Sequence, residues 1–326
     1  MASAFPIACA LLLPPLVAGC GLLARSGGGD SDLPVSGAGP YKRLAADEAT
    51  PWDEPVLLSD GLAALDDPLA LAEGEAIGLW YSRRDAKGGA RIEHVDLARL
   101  EAAPSDPQVA LEPGPAWEGG RIVEPALLAP ARPGGKWLLF YAARGGLGYA
   151  LSDDGHTWTR APGPVLVATA DEGSLASPAL LRLGPDRVRL LYLTRRGIEA
   201  ADARQSDLAN LAPEPLVRRS GPPLVAPGAA SWLPLLGRFT ARSQTLSTGR
   251  VRHDLFLTGR AVDGLRLVGF AASFDGLGFA VAPEPMVDVR APEESAPSGI
   301  AYRAGSLLFF TQPYGQRSTI AVARSP

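Results

Sequence analysis

Short apolar runs closed by Gly, Pro, Asp or Ser recur along most of this chain, and residues 123–166 show the pattern most clearly. Runs at 126–128, 137–141, 147–151 and 165–166 are separated by turn pairs such as Gly134-Gly135, Gly145-Gly146 and Asp154-Gly155. Runs this short, bounded by such residues, read as strands rather than helices. Four of them in succession predict an antiparallel meander of the size of one propeller blade.

The meander repeats. A residue followed by proline, an apolar run, and a second run with paired large side chains occurs at Asp67-Pro68, Glu124-Pro125, Ser177-Pro178, Leu233-Pro234 and Ala296-Pro297. Proline suits the first position of a strand, where its missing N–H needs no ladder partner. Second strands follow at 78–81, 138–141, 189–192, 254–257 and 307–310, and third strands at 92–97, 147–151, 197–201, 268–272 and 319–323. Fourth strands, each a proline plus aliphatics, fall at 107–111, 164–166, 215–217 and 285–287. The fifth unit lacks its fourth strand, and an orphan Pro-Val-Leu-Leu sits at 55–58, ahead of the first. A ring closed by that segment leaves no open sheet edge. The expectation is an all-β, five-bladed β-propeller over 51–326, with four antiparallel strands per blade and closure near 55–58. A single closed ring of this kind is expected to be a monomer.

Composition adds bounds. An apolar content of 46% supplies a large core, and a net charge of −4 without a clustered basic excess argues against a nucleic-acid surface. The three histidines, His94, His156 and His253, are scattered and show no metal-ligand spacing, so no metal site is expected from them. No Gly-rich phosphate loop opens a helix. The N-terminal region runs apolar over 6–19 and ends Leu16-Val17-Ala18-Gly19-Cys20. This resembles the lipobox of bacterial lipoproteins, although no Lys or Arg precedes it. The resemblance implies a signal peptide at 1–19, a diacylated Cys20 and a membrane anchor in the cell envelope. Gly21, rather than Asp, after the cysteine is compatible with the outer membrane. Residues 20–50, rich in Gly, Ser, Pro and Asp, read as a flexible tether. Removal of Cys9 with the signal leaves no disulfide.

In an up-and-down blade, the start of the first strand and the turn after the second share a face. Asp67, Glu124, Ser177, Leu233 and Ala296 should therefore ring the mouth of a central funnel. Arginines stand just outside, at Arg83-Arg84, Arg144, Arg195-Arg196, Arg260 and Arg317. They suit either rim salt bridges or an anionic ligand such as a uronate or phosphate. Trp232 could stack on a sugar face or simply pack.

Two third-to-fourth hairpins read Ser-Asp-Asp-Gly-His-Thr-Trp at 152–158 and Ser-Phe-Asp-Gly-Leu-Gly-Phe at 273–279. Both resemble the Asp-box of sialidase-type propellers, a structural turn whose carboxylate caps its own N–H groups. With the funnel positions, the chain resembles the five-bladed glycoside hydrolases of the arabinanase and β-xylosidase family, family 43. That resemblance implies Asp67-Pro68 as the general base and Glu124-Pro125 in place of the Asp that orients the acid. It puts Ala176-Ser177-Pro178 where the family has the Glu-Gly-Pro of its general acid. A serine hydroxyl cannot protonate a leaving group near neutral pH, and losing a general acid costs about 10²–10⁴ in rate. Asp171, Glu172, Glu293 and Glu294 are the substitutes at hand, with Glu172 the candidate. A central calcium ion is compatible with this reading but is not implied by any residue. The expected function is a lipid-anchored, glycosidase-like propeller that binds carbohydrate or an acidic glycan without canonical hydrolysis. The alternatives are an active hydrolase with a relocated acid and an envelope protein-interaction scaffold.

Overall fold

A computed structural model describes residues 42–43, 63–212, 215–260, 266–286, 295–303, 305–314 and 317–325, without side-chain detail at 42–43, 295, 313–314, 317 and 325. Five four-stranded antiparallel sheets follow one another as blades. Blade one comprises Ala64–Glu73, Ala76–Arg84, Ala90–Leu97 and Gln108–Leu111. Blade two comprises Ile122–Leu128, Trp137–Ala143, Gly146–Ser152 and Thr159–Arg160. Blade three has Ala176–Arg182, Arg187–Thr194, Gly197–Arg204 and Val217–Arg218. Blade four has Leu235–Thr245, Val251–Arg260, Arg266–Ser273 and Ala280–Val281. Ser295–Tyr302, Gly305–Tyr314 and Arg317–Ser325 form the fifth. The α-helix among the described residues is Gln205–Ala209.

The fifth blade is completed from the N-terminal side, as ring closure requires. Lys42 pairs with Arg324 and Arg43 with Ala323. The closing strand thus lies inside the stretch read as tether, upstream of 55–58, which fall outside the described residues. Two fourth strands also shift. In blades two and four they begin directly after Trp158 and Phe279, the Asp-box aromatics, rather than at the later prolines. The hairpin is tight enough that the chain rejoins the sheet at once, leaving Leu166 with one isolated bridge to Leu147.

The first strands of neighbouring blades contact one another around the ring, so they line its axis. Apolar side chains fill the seams between blades. Leu139, Tyr141 and Ile92 pack between blades one and two, and Leu138, Phe140 and Leu190 between two and three. Leu191, Trp232 and Leu255 pack between three and four, and Phe256, Phe270 and Phe310 between four and five. Leu79, Ile300 and Phe309 close the ring between five and one. Each such burial is worth about 1.5–3 kcal/mol, which lets a chain with no disulfide in the described region hold its ring.

Candidate functional site

Every first strand slips register against its second at one bulge, between 66 and 69, 123 and 126, 176 and 179, 236 and 239, and 295 and 298. The extra residues are Asp67-Pro68, Glu124-Pro125, Ser177-Pro178, Gly237-Arg238 and Ala296-Pro297. A bulge re-aims its side chain out of the alternation of the strand. Asp67, Glu124, Ser177 and Ala296 sit there in the left-handed region, with φ of 56°, 60°, 46° and 53°. That conformation costs a non-glycine residue about 1–3 kcal/mol and persists only where its surroundings impose it. The Asp67 N–H donates to Thr311 Oγ1 (3.1 Å), the Glu124 N–H to Ser82 Oγ (2.9 Å) and the Ala296 N–H to Thr258 Oγ1 (3.1 Å). Each acceptor lies on the second strand of the preceding blade. Blade two places Ala142 opposite Val123, where blade one places Ser82 opposite Asp66, and the Ser177 N–H donates instead to Glu124 Oε2 at 2.5 Å.

The blade-four bulge corrects the sequence expectation. Leu233-Pro234 precedes the strand, and the position shared with the other four prolines belongs to Arg238. Its guanidinium enters the funnel, pairing with Asp67 Oδ1 and, at 3.1 Å, with Glu124 Oε1. Asp67 also accepts the Ser82 hydroxyl at 2.8 Å. Asp67 and Glu124, the two carboxylates expected at the funnel mouth, therefore meet at one internal cation. Burial pushes the Glu124 carboxyl up, against the pull of the Ser177 N–H and of Arg84 and Arg121. Burial likewise pushes the Arg238 guanidinium down. Ser177 is buried beside them, and its hydroxyl has no hydrogen-bond partner among the described residues.

Next to Arg238 opens a cavity of about 500 Å³ lined by Asp66, Arg84, Arg238, Thr258, Arg260 and Arg266, together with Leu235, Leu236 and Gly237. Arg84 Nε stands 3.1 Å from Asp66 Oδ2. Arg260 and Arg266 are directly paired across the hairpin of blade four. With Arg84 and Arg238, they make the lining of this cavity basic. The other rim arginines do not gather here. Arg83 lies 3.6 Å from Glu93 and lines a separate hollow between blades one and two. The side chains of Arg144 and Arg195 run over Gly119 and Gly173, and Arg195 Nε donates to the Asp171 carbonyl at 2.7 Å. The side chain of Arg317, with Glu293, Glu294 and Cys20, lies outside the described residues.

Glu172, the expected substitute acid, is tied up by its neighbours. It is buried, accepting from the Thr169 N–H (2.7 Å), the Tyr192 hydroxyl (3.2 Å) and both Nε and Nη2 of Arg218 (3.0 and 3.1 Å). Burial opposes its charge, but the Thr169 N–H and Arg218 outweigh that and hold its carboxyl below the ordinary value. Blade two repeats the arrangement, with Glu118 between the Tyr141 hydroxyl at 2.7 Å and Arg160 Nε at 3.0 Å. A device repeated in two blades is a latch between the fourth strand and the loop leading into the blade. Trp232 is likewise placed in the blade-four core. It is 6% exposed, its indole N–H donates to the Ala282 carbonyl at 2.8 Å, and its ring covers Gly269.

Both Asp-box turns form as expected. Asp154 Oδ1 accepts from the N–H groups of His156 and Thr157, and Asp275 Oδ1 from those of Leu277 and Gly278. Two of the three histidines are less scattered than expected: His94 and His156 come together with Asp96 in a group that could hold a metal ion, whereas His253 stands apart. Calcium at the funnel finds no fitting donor set among the described residues, because Asp67 and Glu124 already serve Arg238.

No family model matches this chain, and no curated protein sequence matches it. Solved structures do. The α-L-arabinofuranosidase from Podospora anserina in complex with cellotriose aligns at a TM-score of 0.64 and 14% identity, over 91% of this chain and 99% of that one. A glycosyl hydrolase from Bacteroides ovatus aligns at 0.66 and 13% identity, over 90% and 95%. This chain has their fold. It is a five-bladed, glycoside-hydrolase-like propeller. The endo-arabinase from Bacteroides thetaiotaomicron shares that propeller at 0.55 and 15% identity, over 80% of this chain and 93% of its own.

Proposed function

We propose that this protein is a carbohydrate-binding propeller that keeps the frame of a glycosidase without canonical hydrolysis, and that its ligand is an acidic glycan. The observation that carries this reading is Arg238 seated between Asp67 and Glu124. A general base must reach a water over the sugar ring, and a glycosidase needs a protonatable partner across the bond. Asp67 is occupied by a guanidinium, Ser177 cannot protonate, and Glu172 is held as the anion by Arg218.

The basic cavity supports an acidic ligand. Its volume falls in the range of small-ligand sites, and arginine forks recognise carboxylates in bidentate fashion. Isothermal titration with uronic-acid-containing and neutral oligosaccharides tests this directly. The acidic ligand should bind more tightly, and Arg260→Gln should weaken it by about tenfold, the worth of one charge-assisted hydrogen bond. Equal affinity for acidic and neutral ligands would remove the acidic-glycan reading.

The same proposal anchors the propeller to the envelope through lipid on Cys20, on the strength of the lipobox-like run that ends there. Cys20→Ser should move the protein from the membrane to the soluble fraction of its host. Retention in the membrane would sink the anchor.

A further inference from the structure

Two histidines and an aspartate meet across the seam between blades one and two, at the end of the ring opposite the funnel. His94 and Asp96 lie two residues apart on the third strand of blade one and therefore project from the same side of it. His156 belongs to the Asp-box hairpin of blade two, whose backbone is pinned where the His156 N–H donates to Asp154 Oδ1 at 2.8 Å. Ligand atoms of the three residues all lie within 4.8 Å of one another. His94 Nε2 stands 3.0 Å from Asp96 Oδ1, and the two imidazoles meet edge to face at 5.0 Å.

We propose that His94, Asp96 and His156 form a binding site for a borderline divalent transition-metal ion of the zinc type. Two imidazole nitrogens and one carboxylate oxygen suit zinc, cobalt or nickel. Calcium and magnesium prefer oxygen ligands, whereas two of the three donors here are imidazole nitrogens. Three protein ligands leave the fourth tetrahedral position to water or to a group brought by a partner.

The group is built to close on an ion. Tetrahedral zinc, with bonds of about 2.0–2.1 Å, sets its ligand atoms about 3.3 Å apart, so the group must contract slightly. His94 is the fixed member, 3% exposed and with the Trp80 ring against it at 4.4 Å. Asp96 and His156 are exposed and can rotate inward. The seam between blades three and four shows what such a position does without an ion. There the buried Arg189 donates Nη1 to the Asp275 and Gly276 carbonyls of the other Asp-box hairpin, at 3.1 and 3.0 Å. At the seam between blades one and two, the ion would supply the corresponding tie.

Titration of the chelator-stripped full chain with zinc, by calorimetry and thermal unfolding, tests the site. One ion per chain and a raised unfolding midpoint are expected. His156→Ala lies on an exposed hairpin and should leave the apo protein folded. It should weaken zinc binding by well over tenfold, since loss of outer-shell support alone costs about 10–100-fold. His253→Ala should leave binding unchanged. No saturable zinc binding, or binding that His156→Ala leaves intact and so belongs to the thiols of Cys9 or Cys20, would overturn the proposal.

Discussion

Arg238 pairs one guanidinium with two buried carboxylates, so its removal leaves both without their shared cation. Breaking a buried pair in this way costs about 3–5 kcal/mol, and the partial opening of the seat to solvent puts the expectation near the lower end. Arg238→Met should therefore lose about 3 kcal/mol in chemical denaturation, and adding Asp67→Asn with Glu124→Gln should recover most of it. Failure of the triple variant to regain stability would mean that Arg238 acts through packing alone. Glu172 gives a prediction in pH. Its folded carboxyl lies below the ordinary value, so it stabilises the fold above about pH 4.3 and loses that contribution as pH falls further. Glu172→Gln should lower stability near neutral pH by about 2 kcal/mol and flatten the acid limb of the stability curve. An unchanged acid limb would contradict the latch. Neither role shows in the sequence. A lone arginine after a glycine carries no pattern, and Glu172 close before Ser177-Pro178 looks the same as latch or as acid until Arg218 is seen beside it.

Most blades are legible as elements because proline marks the bulge where the first strand turns its side chain into the funnel. Blade four lacks that proline and has Pro234 a few residues too early, so its sequence pattern points to Leu233 rather than to Gly237-Arg238. A signal was present: the gap from Pro234 to the second strand is about twice that in blades one and five. The Asp-box hairpins were readable from Ser, Asp and Gly in fixed order, whereas their return strands were not. In both, the aromatic residue leads straight into the fourth strand without a proline to announce it. The hairpin of blade four offers a test of its structural role. Asp275→Ala removes the acceptor for two backbone N–H groups and should cost about 1 kcal/mol, as the loss of a helix cap does, with glycan affinity unchanged. A loss of affinity without loss of stability would make the hairpin part of a binding face.

As a whole molecule, the ring is a stable frame whose funnel carboxylates are paired to an internal arginine. Apolar seams between blades and the N-terminal strand at Lys42–Arg43 hold the first strands about one axis, and the bulges converge there. Such a frame is preserved by packing, whereas catalysis depends on a few side chains, so fold and activity can part company. The share of the frame with arabinofuranosidases and arabinanases is thus compatible with binding alone. Turnover of aryl α-L-arabinofuranosides and β-D-xylosides by the wild-type protein and by Asp67→Asn is the deciding measurement. With Asp67 held by Arg238 and a serine at position 177, both proteins should show the same trace rate. Measurable wild-type turnover that Asp67→Asn abolishes would contradict the account.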